Sequence, residues 1–396
     1  MENREKKVGV LELCIPFIYI FAEYEIAGIS LSWLLVLGMI FFLVIKYGIA
    51  HVIVFKPLAY LFVFMVIHDM LKSIYSTVNY GMWLERIMIF VLIIFMIGKV
   101  DEDKLFKVWS ICSIVVLIGI VFHSYQIYIL NIPATQIKIL PFNFSDVDNA
   151  NYAYFRPRSI FSEPAACVSW LAPLLAYWLR KGKLSFSIII TVSILLTTSS
   201  IGVVMVALLW IYTLFEKENS IKLNKKILLT LVIAVFAWLL FSTGIFSDTT
   251  NKVLKISVDN GSDYSRVLLG IMLYINAPAL VRMWGIKYAT VEDYLRSGDI
   301  ALSKYHLSNE YSFLGFVNAF GNCILNYGFV GLILYVYFYC ETFKVINRSQ
   351  KGYFFICLVS IMSQSAFFNS YFLMQMSILL GTATCFYDRR GKNRRK

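Results

Sequence analysis

The stretch Arg156-Pro157-Arg158-Ser159-Ile160-Phe161-Ser162-Glu163-Pro164-Ala165-Ala166 carries the densest chemistry in the chain. Two guanidiniums stand two residues apart, and a carboxylate directly precedes a proline. Proline suits the first helical turn, because the N–H it lacks would be unpaired there. That predicts a helix beginning at Pro164, with Glu163 at its N-cap, where negative charge is favoured. Two readings compete. Arg158 and Glu163 form an ion pair that orders the loop, or the arginines form an anion cradle. The guanidinium is a planar fork that matches phosphate oxygens two at a time.

Other residues are sparser. Arg266, in Asp263-Tyr264-Ser265-Arg266, opens a stretch with apolar residues at 267, 268, 271, 272 and 275, a helical stripe. It is either a solvated charge or a second anion contact facing the first. Arg282, Lys287 and Arg296 follow as weaker candidates. His68 and Asp69 lie near the end of one apolar run, and Glu85 and Arg86 near the start of the next. Ionisable groups inside such runs are costly and tend to pair or line a cavity. Asp69 with Arg86 is the expected pair, structural or site-lining. His306 is a candidate base or an ordinary surface histidine. Asn318 and Asn322 are spaced to share a helix face.

Several chemistries are not expected. No Gly-rich loop ending in Lys-Ser/Thr is present, so no built-in ATPase. No His-x-x-x-His pair occurs in the polar loops, so a metal-assisted reaction is not expected, nor a nucleotide sugar as donor. The seven cysteines all lie in or beside apolar segments and form no Cys-x-x-Cys. Neither a disulfide framework nor a zinc site is expected.

The elements that position these residues follow from composition. Hydrophobic residues make up 59% and charged residues 15%, with a mean hydropathy of +0.71. Soluble domains are nearer half apolar and a quarter charged. A spanning helix needs about 20 mostly apolar residues. Such runs fall near 8–24, 26–45, 57–73, 82–98, 108–130, 160–179, 185–198, 200–215, 227–244, 312–340, 353–369 and 371–387. Thr197-Thr198-Ser199-Ser200 divides the pair within 185–215. The expected fold is a single all-α polytopic membrane domain over 1–396 with about twelve spans. The first run is read as a retained helix, not a signal peptide.

The net charge of +12 does not imply nucleic acid. Most of the 36 Lys and Arg residues sit in short clusters between apolar runs, the pattern of cytoplasmic loops. Both termini are therefore expected inside. Two long loops, 131–159 and 245–310, are left outside, and long loops in compact proteins are usually functional or disordered.

On these residues the chain resembles the bacterial O-antigen polymerases and their ligase relatives. Phe161, Glu163 and Pro164 match an Arg-x-x-Gly-x-Phe-x-Glu-Pro signature, with Ile160 departing from a small residue often seen there. Thr197-Thr198-Ser199-Ser200-Ile201-Gly202 resembles a Thr-x-Ser-Arg-Gly turn without its arginine. Asn318 through Gly328-Phe329-Val330-Gly331 resembles a late Asn…Gly-x-x-Gly pattern. The resemblance spans roughly 150–340.

The resemblance implies a lipid-dependent, membrane-embedded glycosyltransferase fold (GT-C-like) in the bacterial inner membrane, with the two long loops periplasmic. Its substrates would be undecaprenyl-diphosphate-linked oligosaccharides, polymerised into O-antigen or capsular polysaccharide beside a flippase and a chain-length regulator. No cofactor is implied, since the sugar–diphosphate bond stores the donor energy. Arg156, Arg158 and Arg266 would face the diphosphate. Glu163 would be the base or would orient Arg158, and His306 would match the outer-loop histidine of the ligases. The first alternative is a ligase that transfers glycan to lipid A core. The second is a polysaccharide or lipid transporter, disfavoured by the missing internal repeat and the long loops.

Overall fold

A computed structural model describes residues 9–49, 52–74, 80–144, 155–216, 269–288, 290–297, 317–364 and 367–386, with isolated positions between 224 and 238. The protein is mostly helical. The helices are α1 (Val10–Phe21), α2 (Leu31–Tyr47), α3 (Lys56–Lys72), α4 (Tyr80–Met96), α5 (Glu102–Tyr128), α6 (Pro164–Arg180), α7 (Leu184–Leu196) and α8 (Ser200–Phe215). Three short helices follow, α9 (Gly270–Asn276), α10 (Ala279–Trp284) and α11 (Val291–Arg296). Then come α12 (Ala319–Val345), α13 (Lys351–Ser363) and α14 (Ser370–Leu379). The expected break is present, since Thr197–Ser199 separates α7 from α8. The run at 227–244 lies almost wholly outside the described residues.

Among the described residues, two helices, α5 and α12, are long and apolar enough to cross a membrane. The outward face of α5 carries Ile111, Ile114, Val115, Ile118, Val121 and Phe122, all exposed. Its inward face carries Val116, Gly119, Ile120, His123 and Ile127. From residue 111 on, the exposed positions of α5 are apolar, whereas a water-soluble helix turns polar groups outward; the inward face is mainly apolar too, with Ser113, His123 and Gln126 its polar members.

Contacts sort the helix ends into two groups. At one end the Asp101 N–H donates to Glu12, and Gly98 and Val100 donate to the Leu380 and Gly381 carbonyls. Arg180 pairs with Glu102 at 3.0 Å and Lys181 with Asp103 at 2.7 Å. At the other end a small antiparallel sheet forms in the order β2 (Ile29–Ser30), β1 (Tyr24–Ile26), β3 (Asn143–Phe144). This sheet ties the α1–α2 turn to the loop after α5. The Ala319 N–H donates to the Gln364 carbonyl at the same end.

Helix α12 is bent at Gly328, whose φ of +63° is left-handed. The stretch of chain after α10 runs into that bend. Ile286 N–H donates to the Leu325 carbonyl at 2.8 Å. A Cβ on Gly328 would overlap the Met283 carbonyl, and one on Gly285 the Asn326 carbonyl. Backbone therefore meets backbone with no side chain between, which only glycine permits. Part of the stripe expected from residue 267 onward falls in α9, where Ile271 is half-buried. Within α9 the packed residues are Gly270 and Leu273, while Met272 and Ile275 face outward. Residues 267 and 268 lie outside the described residues.

Candidate functional site

The loop before α6 is built by α5. The last turns of α5 present His123 and Gln126 toward the loop. The Gln126 carbonyl oxygen accepts from the Thr135 N–H at 3.1 Å, and His123 Nε2 lies 2.8 Å from the Thr135 carbonyl. That carbonyl can only accept, so Nε2 carries the proton. Nδ1 then holds a lone pair, and the N–H groups of Arg158 (3.3 Å) and Ser159 (3.1 Å) both donate to it. Ser159 adopts a left-handed φ of +55°. One turn earlier on the same face, Gly119 leaves room for it: a Cβ there would overlap the Ser159 hydroxyl.

Held this way, Arg158 is 1% exposed. Its Nη1 donates to the Ser162 carbonyl at 2.8 Å. Glu163 occupies the N-cap of α6 and Pro164 the first turn, although the Glu163 side chain makes no capping bond. Arg156 reaches sideways, its Nε donating to the Thr198 hydroxyl at 3.0 Å and its Nη2 to the Thr198 carbonyl. The arginine loop and the α7–α8 turn are thus one assembly.

The carboxylate that meets this loop most intimately is Glu23, two residues past the end of α1. Ser162, Glu163 and Arg158 of the loop all act on its charge. Burial pushes the Glu23 carboxyl up to about 7. The Ser162 hydrogen bonds and Arg158 oppose the rise, and Glu163 adds to it. Tyr19 lies one turn back, its ring 5.1 Å from Tyr371 and 6.2 Å from Phe161. Sequence reading missed Glu23 and His123. Glu23 stands at the end of one apolar run and His123 inside another, with no local pattern linking either to Arg158.

A second cluster forms where α3, α4 and α12 meet. Arg86 and Asp69 form the expected ion pair. The Tyr327 hydroxyl accepts from Arg86 at 2.6 Å and donates to Asp69 at 3.2 Å. Lys72 donates to Asn326 at 3.2 Å and lies over the Tyr327 ring. His68 Nε2 donates to the Trp284 carbonyl, which fastens α10 to α3. The cluster pins the segment after residue 269 to the bundle and does not touch the Arg158 loop in any described contact.

The remaining candidates fare differently. Asn318 is the N-cap of α12 rather than a residue on its face. Its carbonyl accepts from the Gly321 N–H at 2.6 Å and its amide donates to the Met362 carbonyl at 2.7 Å. Both ends of that amide are committed to structure. Asn322 turns back to the Val317 carbonyl. Arg282 is exposed on α10, away from the Arg158 loop. Arg266 and His306 lie outside the described residues. So do Asp146 and Asp148, a carboxylate pair at Asp-x-Asp spacing in the first loop. The expectation of a metal-independent reaction therefore rests on the missing histidine pair alone.

No protein-family model matches the chain, and no curated protein matches it either.

Proposed function

We propose that the protein is a multi-pass membrane glycosyltransferase that polymerises polyprenyl-diphosphate-linked oligosaccharides. The acting surface is the bundle end that carries the Arg158 loop. One observation carries the reading: a buried arginine in the loop that leads into α6, whose charge acts on the buried Glu23 carboxyl. An apolar exterior on α5 supports a lipid setting, and the lysine and arginine clusters favour a cytoplasmic location for the opposite end. On this reading the Arg158 end faces the periplasm, and the chain crosses the inner membrane about twelve times in a GT-C-like fold.

In the proposed reaction the donor's anomeric carbon–oxygen bond breaks, and its electron pair leaves with the lipid diphosphate. The acceptor hydroxyl oxygen bonds to that carbon, and its proton passes to a carboxylate. Negative charge grows on the diphosphate in the transition state, so Arg158 lowers the barrier by being fixed there beforehand. Glu23 is suited to accept that proton. A base is most effective when its pKa lies near the working pH, and the Glu23 carboxyl stands at about 7.

The test is purified protein in nanodiscs with lipid-linked repeat units, read as a ladder of product lengths. Wild type lengthens the glycan. Arg158→Ala abolishes lengthening while the protein still inserts and accumulates, with some loss of melting temperature from the vacated volume. Arg158→Lys also fails, since a point charge does not reproduce a two-pronged contact. A ladder of wild-type length from both variants would sink the assignment of Arg158 to the diphosphate.

A further inference from the structure

We propose that Gly119 and His123 of α5 form a seat for the Arg158–Ser159 turn, making His123 the positioning residue that sets the Arg158 guanidinium. The inference rests on the reading of Arg158 given above. Gly119 and His123 are spaced i, i+4, so they share a face of α5. That face meets the loop at its most constrained point. Ser159 is a non-glycine residue in the left-handed region, which is costly for an L-residue and persists only when its surroundings impose it.

The seat imposes it in two ways. His123 Nδ1 takes two successive backbone N–H groups, from Arg158 and Ser159. Two converging N–H groups are what a turn of this kind presents, and a single acceptor satisfies both. Gly119 supplies the volume for the Ser159 side chain, whose Cβ and Cα would lie 3.1 and 3.2 Å from an added Cβ. The imidazole is held from behind by the Thr135 carbonyl, which is why the lone pair points at the loop. Arg158 itself reaches back to the Ser162 carbonyl. A shift of the turn would therefore pull the guanidinium off the Ser162 carbonyl. His123 touches no reacting atom in this scheme, and it acts through Arg158.

The two ring nitrogens can be tested separately. Asparagine places a carbonyl oxygen where Nδ1 stands, so His123→Asn keeps the acceptor and gives up the hydrogen bond to Thr135. Glutamine reaches the Nε2 position, so His123→Gln keeps the hydrogen bond to Thr135 and gives up the acceptor. The seat requires Asn to hold kcat within about threefold of wild type and Gln to lower it at least tenfold, with KM little changed. Misplacing a group that acts only in the transition state lowers kcat rather than substrate binding. Gly119→Ala should fail likewise, and Gly119→Ala/Ser159→Gly should recover activity, because the second change removes the overlapping hydroxyl.

A Gln variant as active as the Asn variant, or a glycine-pair variant no better than Gly119→Ala alone, would overturn the seat. One readout is independent of any activity. In ¹⁵N-histidine spectra of the full chain in nanodiscs, the resonance that disappears in His123→Asn should show an unprotonated Nδ1. A protonated Nδ1 there overturns the seat whatever the enzyme does. If the wild type lengthens no glycan while Nδ1 is unprotonated, the functional reading fails and the seat stands.

Discussion

Glu23 and Arg158 gain their properties from each other's surroundings. A carboxyl removed from water favours its neutral form, and the neighbouring Glu163 charge pushes the same way. Arg158 and two hydrogen bonds from Ser162 pull back, leaving Glu23 poised near neutrality. If Glu23 takes the acceptor proton, only its ionised form works. The rate should then fall as pH drops through about 7 and level off above it. Glu23→Gln should remove that limb together with nearly all turnover, while Glu23→Asp should retain a limb at an altered pH. A wild-type profile flat from pH 5 to 8 would exclude Glu23 as the base. The Arg156–Thr198 contact belongs to the same scale. It joins two of the three motifs that prompted the family resemblance into one assembly although they lie far apart in the chain.

Among the elements, the bend in α12 decides most. Gly328 could be read as part of a Gly-x-x-Gly pattern, but nothing in the sequence says that the Gly285 backbone would press against it. The contact lets α9–α11 dock on α12, with His68 and the Asp69–Arg86–Tyr327 cluster closing the joint. Gly328→Ala adds a Cβ to a left-handed residue and drives it into the Met283 carbonyl. It should destabilise the protein by about 2 kcal/mol or more, read as a lowered melting temperature in detergent. An unchanged melting temperature would mean that the bend is not imposed by this contact. Helix α6 shows the reverse case, in which the local signal at Pro164 sufficed, whereas α5 begins earlier than the run expected from residue 108. Asp101 caps α5 through the Lys104 N–H, and Pro164 opens α6, both where the residue types favour them.

For the whole molecule, the apolar outward face of α5 carries the strongest consequence. In water, replacing an exposed isoleucine with lysine is close to neutral or favourable. On a lipid-facing surface at mid-helix, lysine costs about 2.5–3.5 kcal/mol by insertion scales. Ile118 is 64% exposed and lies near the middle of α5. Ile118→Lys should therefore lower the membrane-inserted fraction after alkaline extraction, while Ile120→Ala, facing inward, should spare insertion and lower thermal stability. Full insertion of Ile118→Lys would contradict a lipid-facing α5. The two groups of helix ends give the molecule a polar, ion-paired end and an end where loops, sheet and the arginine site gather.

Apolar runs, breaks and charge bias were legible in the sequence because each depends on neighbours along the chain. Helix existence, the split at Thr197–Ser199, the N-cap at Glu163 and the Asp69–Arg86 pairing belong to that kind. The site's inner composition does not. Glu23, His123 and Gly119 each look unremarkable where they stand, one at a helix end and two inside an apolar run. They become a base candidate, a two-fold acceptor and a vacant volume only when α1, α5 and the loop before α6 converge. That convergence is set by packing between distant segments; the burial that raises Glu23 and the Thr135 carbonyl that fixes the His123 lone pair have no local signature. The arginine pair was visible as a sequence pattern. Which carboxylate it faces, and what holds it there, only the tertiary structure decided.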